Sequence, residues 1–360
     1  MRTYLSPIKD TTIYERFPTY NTGLDEILEI GKLKKQTDID YIYTGSRARA
    51  LIQFDSASLA AHPTSSVSYY LNLYLAHATD VHRYQQIDVY MVSRSWVEGS
   101  GYYYQEPSNV EDGATWQYVG GISSSRWATS GSDYLPSPSA SCQLTDVPIR
   151  DIRIDVTTIV SAAYANLSTE WHGMLIKFPD ADESSSLNQG NIKVFSSNTH
   201  TVFAPKLEAV WNDQVFTTGS LKPIPNSSVS IMPKNIKEAY TLGEIDKMYL
   251  IVRDKYPEKR FDETPRYKNI YYLPSQSYYR ITDTVSGVKL YDFDSYSAIN
   301  CDTSGSYIVL NTNGLDVNRY YTLELKVIRN GLVFFPEFVY TFKVDSNGWY
   351  LHQLYLQGRC

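Results

Sequence analysis

Apolar and polar residues alternate with a period of two through most of this chain, and a 3.6-residue periodicity is nearly absent. That pattern belongs to half-buried strands rather than to amphipathic helices. In 67–75 the positions Val67, Tyr69, Leu71, Leu73 and Leu75 form one apolar face, while Ser68 and Asn72 fall on the other. Further strands are expected at 11–15, 26–31, 47–54, 87–92, 151–156, 173–178, 192–196 and 205–211. Short strands at this spacing, separated by turn residues, predict a sandwich or jelly roll. Two single-turn helices are expected, one over Ser56–Ala61 and one over Val156–Tyr164, the second with Asp155 or Thr157 as its cap.

The alternation stops in the stretch after Phe216, where prolines and small polar residues replace it, and a linker is placed at 214–228. It restarts at Met248–Val252, then Lys289–Phe293 and Tyr307–Leu310. In Tyr321–Ile328, Leu323, Leu325 and Val327 alternate with Thr322, Glu324 and Lys326, and Asn330-Gly331 then supplies the positive φ angles of a type I′ turn. The returning strand runs through Leu332-Val333-Phe334-Phe335 and on to Val344. The expected organisation is therefore all-β: an N-terminal jelly-roll β-sandwich over 1–213, a linker, an immunoglobulin-like β-sandwich over 229–345 and an aromatic tail over 346–360.

One segment fits neither period. Ser93–Tyr118 holds two tryptophans, a run of three tyrosines and several glycines and acids. Its aromatic content argues against disorder, because such a segment has apolar surface to offset its chain entropy. It reads either as a ligand platform or as a lid folded on the sandwich.

Composition removes several classes of function. The formal net charge is -6, which gives no electrostatic footprint for nucleic acid or for an anionic membrane. Tyrosine is in excess, 32 against 12 phenylalanines, and tyrosine suits half-buried sheets and interfaces with one wet side. Cys142, Cys301 and Cys360 are widely separated and odd in number, so no disulfide framework or zinc spacing is implied and a reducing origin is expected. No apolar run has the length of a signal or a membrane span.

A particular order of motifs is familiar: Asp10-Thr11-Thr12-Ile13-Tyr14, then Leu28-Glu29-Ile30-Gly31, then the strand Ser46–Asp55. Ser95-Trp96-Val97-Glu98-Gly99-Ser100-Gly101 and Gly113-Ala114-Thr115-Trp116 follow, and then Ile154–Thr157, Gly173–Ile176, Phe195-Ser196-Ser197 and Pro205-Lys206-Leu207. Over residues 8–212 this resembles the DNRLRE family of jelly-roll modules, related to carbohydrate-binding modules. The family's name motif is not reproduced; Ser46–Asp55 occupies that strand. Modules of this kind joined to immunoglobulin-like domains are similar to structural proteins of tailed-phage virions, which assemble in the host cytoplasm. The resemblance implies a virion component whose partners are other virion proteins and copies of itself, with a polysaccharide as the alternative partner.

The search for chemistry finds no catalytic constellation. His62, His77, His82, His172, His200 and His352 do not pair at ligand spacing, and neither a Gly-x-Ser-x-Gly elbow nor a phosphate loop is present. Glu98, Glu106, Glu111 and Asp112 share the aromatic loop, yet solubility accounts for them as well as acid–base chemistry does. No enzyme is expected, and no cofactor beyond a structural Ca²⁺ held by Asp180 and Asp182 in the run Asp180-Ala181-Asp182-Glu183, for which a solvated loop is the alternative. Trp96, Tyr102, Tyr103, Tyr104, Trp116 and Trp127 are the ligand or interface candidates, with Trp96 and Trp116 also read as packing the loop onto the sandwich edge.

Overall fold

A computed structural model of the chain describes all residues except 34–36, 39–40, 43–45, 63–65, 104–111, 146–149, 165–170, 226–227, 236, 257–270, 338 and 347–360. The chain is all-β and built of β-sandwiches, as its alternation predicts. It divides into two compact units, Leu5–Ala209 and a second formed by Val210–Cys360 together with Met1–Tyr4.

The main sheet of the first unit orders Tyr134–Gln143, Gln86–Val92, Met174–Lys177, Ser46–Phe54, Ile27–Leu33, Gly190–Phe195 and Leu75–Thr79, and Pro7–Tyr14 pairs with Ser46–Phe54. The central strands read as near-continuous apolar runs because they are covered on both faces; Ala50, Leu51, Ile52, Met174, Leu175 and Ile176 are all buried. A smaller sheet includes Lys206–Trp211, Val67–Leu73 and Ile152–Asp155 in that order. Val67–Leu73 keeps its expected two faces, with Val67, Tyr69, Leu71 and Leu73 buried and the residues between them partly exposed. The helix Ser56–Ala60 begins where Asp55 accepts a hydrogen bond from the Ser58 backbone N–H at 2.9 Å. At the start of the second helix, Thr157–Ala163, Asp155 accepts from the Thr157 backbone N–H at 3.0 Å, next to the N-cap residue Val156, which makes no side-chain bond.

The strand Tyr134–Gln143 lies at the edge of the main sheet and carries Pro136, Pro138 and four serines or small residues. Proline is confined to such edges because it cannot donate to a ladder. Its register shifts between Leu135 and Ser139, so no steady alternation marks it in the sequence.

In the second unit, one six-stranded sheet orders Lys222–Pro223, Tyr271–Tyr272, Ile245–Asp254, Gly305–Asn311 and Asn300–Asp302, with Val229–Lys234 paired to Ile245–Asp254. The other orders Ala239–Thr241, Val339–Asp345, Arg319–Arg329, Ser277–Asp283 and Lys289–Tyr291, with Leu332–Phe334 paired to Arg319–Arg329. Their inward faces meet in one core that includes Met248, Leu250, Val252, Ile281, Ile308, Leu323, Leu325, Val327 and Phe342. Tyr4 belongs to that core too and stands edge-on to Tyr291 at 6.1 Å. The Tyr291 hydroxyl donates to the Arg2 carbonyl at 2.8 Å, the Tyr4 hydroxyl donates to the Leu290 carbonyl, and Arg2 pairs with Asp294.

The segment expected as a linker, 214–228, is bound into the second unit over its described part. Asn300 accepts from the Val215 N–H at 2.7 Å, Cys301 N–H donates to Val215 and Thr217 N–H to Cys301 at 2.9 Å each, and Lys222–Pro223 pairs in parallel with Tyr271–Tyr272. These are mostly bonds of the main chain, which leave no pattern in side-chain polarity.

Candidate functional site

The aromatic loop of the first unit leaves the strand Gln86–Val92 and returns as Tyr134–Gln143. Trp96, Trp116 and Trp127 are only 2%, 4% and 5% exposed and pack with Ala114 against Ile13, Leu51, Val92 and Leu175. The Trp96 ring N–H donates to the His172 carbonyl at 2.8 Å and that of Trp127 to the Thr115 carbonyl at 2.9 Å. Cations lie over the rings: Lys9 Nζ is 4.3 Å from the Trp96 centroid, and the guanidinium carbons of Arg47 and Arg49 are 5.1 and 4.9 Å from that of Trp116. The three tryptophans thus join the loop to the sheet and offer no ring to a bound polymer, because loop and sheet already occupy their surfaces.

Asn21 holds this loop from below. Its amide donates to the Glu98 carbonyl at 2.7 Å and the Ala114 carbonyl at 3.0 Å, and its carbonyl accepts from the N–H groups of Gly101 at 2.9 Å and Gly23 at 3.1 Å. Gly99 is required beside it: at φ +83° an added Cβ would lie 2.4 Å from Asn21 Oδ1. Asn21 had no place among the residues singled out in the sequence. The only local sign was Asn21-Thr22-Gly23, a turn-like tripeptide.

Next to Asn21 lies a pair of carboxylates. Asp10 is 1% exposed and accepts from the Ser197 backbone N–H at 2.7 Å and the Ser197 hydroxyl at 3.0 Å, while Glu98 accepts from the Asp10 N–H at 2.8 Å. Burial pushes the Asp10 carboxyl up to about 7, against the lowering effect of the Ser197 bonds, and burial raises Glu98 as well. Both oxygens of Asp10 are committed to Ser197, which makes it an anchor for the turn after Gly190–Phe195.

Of the candidate tyrosines, Tyr102 is 41% exposed and Tyr103 is half-buried; Tyr104 lies outside the described residues. The Tyr103 N–H is shared by both Asp25 oxygens at 3.2 Å, and burial with Glu29 and Glu26 nearby raises that carboxyl to about 6. The Tyr103 ring meets Tyr14 at 5.1 Å and Phe17 at 5.9 Å, and Phe17 stacks on Tyr20 at 4.9 Å. Phe17 and Tyr20 extend the aromatic surface beyond the loop that the sequence had marked.

The acidic run at 180–183 forms a short helix, Asp180–Ser184, and its carboxylates turn to three different partners. Asp180 takes the Lys177 ammonium, which holds its carboxyl below the usual range; Asp182 accepts from Gln85 at 2.8 Å. Glu183 is buried, pairs with Arg49 through both oxygens and lies 3.4 Å from Lys177. Arg49 also donates to the Gly131 carbonyl at 2.6 Å. Asp180 and Asp182 therefore do not converge on one point, and among the described residues no group of three or more His, Cys, Asp or Glu could hold a metal.

In the second unit the apolar residues that follow the turn Asn330-Gly331 face outward. Leu332 is 75% exposed, Val333 53%, Phe334 41%, Phe335 59% and Val339 71%. Phe335 has an aromatic neighbour in Phe293 at 5.9 Å. The sequence shows this strand but not which way its side chains look, since four consecutive apolar residues have no polar face to orient them. Among the described residues, no helix is long and apolar enough to cross a membrane.

No family model matches the chain, and no curated protein does. Among solved structures, a protein assigned as a β-galactosidase from Bacteroides fragilis aligns over 95% of this chain and 41% of its own, at 9% identity and a TM-score of 0.21. A DUF4785 family protein from Legionella pneumophila subsp. pneumophila aligns over 95% of this chain and 66% of its own, at 6% identity and a TM-score of 0.19. The chain thus spans less than two thirds of either protein, and scores this low carry no argument about fold or function.

Proposed function

We propose that this protein is a non-enzymatic structural component of a bacteriophage virion, in the tail, neck, baseplate or capsid surface, that acts through protein–protein interfaces. The observation that carries the interface is the outward apolar strip Leu332–Phe335 with Val339. Contiguous apolar surface on a folded domain marks an interaction site more often than it marks chance. The particle is what the resemblance to DNRLRE modules joined to an immunoglobulin-like domain supports. The tyrosine excess suits the same role.

Antibodies raised against the purified chain test the reading on phage particles purified from lysates of its source. Detection in the particle fraction, in stoichiometric amount after a high-salt wash, is the expected result. Its absence from the particles overturns the reading.

A second reading is favoured by one surface. Tyr102 is exposed, the next residue Tyr103 meets Phe17, Phe17 stacks on Tyr20, and aromatic groups of this kind stack on sugar rings. Titration with alginate-like polymers, followed by tryptophan fluorescence, tests it. Micromolar binding that Tyr103→Ala abolishes would make the protein a polysaccharide-binding adsorption protein; no signal at millimolar sugar removes that role.

A further inference from the structure

Three Asn-Gly pairs occur in the chain, Asn313-Gly314, Asn330-Gly331 and Asn347-Gly348, and the last lies outside the described residues. Such a pair can modify itself, because glycine has no side chain to keep its backbone nitrogen away from the carboxamide before it. One torsion decides whether it does. The asparagine ψ must come to about −120°, the value of the first central residue in a type II′ turn, where the glycine nitrogen lies level with Cβ and in reach of Cγ.

Asn330 and Gly331, with φ of 50° and 77°, are the central residues of the hairpin turn, and Arg329 pairs with Leu332 across it. Both positive φ angles make it a type I′ turn. The peptide between Asn330 and Gly331 lies outside the ladder, and among the described residues no backbone bond uses it. Rotating this one peptide converts type I′ to type II′, sets the Asn330 ψ at roughly −120° and leaves the pairing of Arg329 with Leu332 in place. Both residues are exposed, and a Cβ built on Gly331 would meet no atom within 4 Å. Asn313-Gly314 is also the centre of a turn, closed by the Leu315 N–H to the Thr312 carbonyl at 3.1 Å. There Gly314 has φ of 82° while Asn313 keeps a negative φ, which is a type II turn. Rotating that peptide gives type I, with ψ at roughly −30° and the nitrogen still turned away from the side chain. Gly314 is also packed on the chain start, since an added Cβ would lie 2.3 Å from the Tyr4 carbonyl oxygen.

We infer that Asn330 is a site of spontaneous deamidation and isoaspartate formation, and that the fold spares Asn313. The Gly331 nitrogen attacks Asn330 Cγ, and the new N–C bond closes a five-membered succinimide. The bond from Cγ to the carboxamide nitrogen breaks, and that nitrogen leaves as ammonia with the proton given up by Gly331. Water then opens the ring. Addition at Cγ restores the ordinary main chain with an aspartate side chain; addition at the main-chain carbonyl leaves isoaspartate, in which the chain runs through Cβ and Cγ. Isoaspartate puts an extra backbone atom into a two-residue turn, so Leu332–Phe334 cannot keep its register with Arg319–Arg329. Both products place a carboxylate beside the outward strip Leu332–Phe335. That strip therefore changes with the age of the molecule.

Peptide mapping by mass spectrometry tests this on the full chain, kept folded at mildly alkaline pH, with a second sample kept in denaturing urea. Isoaspartate is scored in the same peptides by labelling with an isoaspartyl methyltransferase. In the folded chain Asn330 is expected to convert at least roughly fivefold faster than Asn313, and in urea, where both are plain Asn-Gly pairs, the two rates are expected to converge. A smaller ratio in the folded chain, an Asn330 that stays intact, or a ratio that urea leaves unchanged overturns the inference.

Discussion

The loop at 93–133 and the hairpin around Asn330-Gly331 hold similar residues and use them in opposite directions. In the loop, Trp96, Trp116 and Trp127 turn inward, two ring N–H groups reach carbonyls, and Asn21 satisfies the backbone beneath. In the hairpin, Leu332, Val333, Phe334 and Phe335 turn outward, and among the described residues one main-chain edge stays open. The difference is one of anchoring. The loop has polar partners from distant parts of the chain to fix it, whereas the hairpin has a turn and a single neighbouring strand. Aromatic content alone therefore says little about where a protein meets others; the sites of the hydrogen-bond partners say more.

That contrast can be broken by substitution. Trp96→Ala is expected to cost the first unit about 3–5 kcal/mol, read as a lower midpoint in urea, because it empties a filled core site and removes the bond to the His172 carbonyl. A loss under about 1 kcal/mol would mean that the loop is not part of the core. Asn21→Ala should cost about 2–3 kcal/mol by leaving buried carbonyls and N–H groups without partners, with increased proteolysis near Glu98 as a second sign.

The pH dependence sharpens the picture of the anchor. Asp10 has a carboxyl raised by burial from 3.8 to about 7, so the folded chain holds this proton more tightly than the unfolded one does. Its stabilising contribution is complete below about pH 4 and is lost as pH rises through 7. Asp25, raised to about 6, acts in the same direction over a narrower window. The melting temperature of wild type relative to Asp10→Asn should therefore fall between pH 4 and pH 7, and a difference that stays flat contradicts a buried Asp10. The smallest effect belongs to the hairpin: Leu332→Thr should move monomer stability by no more than about 0.5 kcal/mol, since the side chain is already in water. A larger loss would mean that the strip is covered within its own chain.

Much of the fold can be read from the residues because strands with one wet face announce themselves. Val67–Leu73 does so by strict alternation, and Asn330-Gly331 marks the hairpin because few other pairs tolerate both positive φ angles. Tyr134–Gln143 is hidden by its prolines and its shifted register, and the segment 214–228 by bonds that belong to the backbone. The site is harder to read. Tyr102 and Tyr103 stand out in the text, but Asn21 and Asp10 act on Glu98 and Ser197, which are far away along the chain. Likewise the carboxylates at 180–183 stand together in the text, while in the fold Asp180 pairs with Lys177, Asp182 accepts from Gln85 and Glu183 pairs with Arg49.

Arg2 and Tyr4 have their partners at Leu290, Tyr291 and Asp294, with the whole of Leu5–Ala209 between them in sequence. Residues 1–4 leave the ribosome long before the core that receives Tyr4 has been made. The first unit can close on itself as it emerges, while the side chains of Arg2 and Tyr4 lack these partners until translation has passed Asp294. Their docking also closes a very long loop, whose entropic cost grows only slowly with length, provided that the first unit has already folded and brought its ends within reach. Assembly of this chain is thus ordered in time: Arg2 and Tyr4 are made before the first unit, and their side chains reach their places only after it.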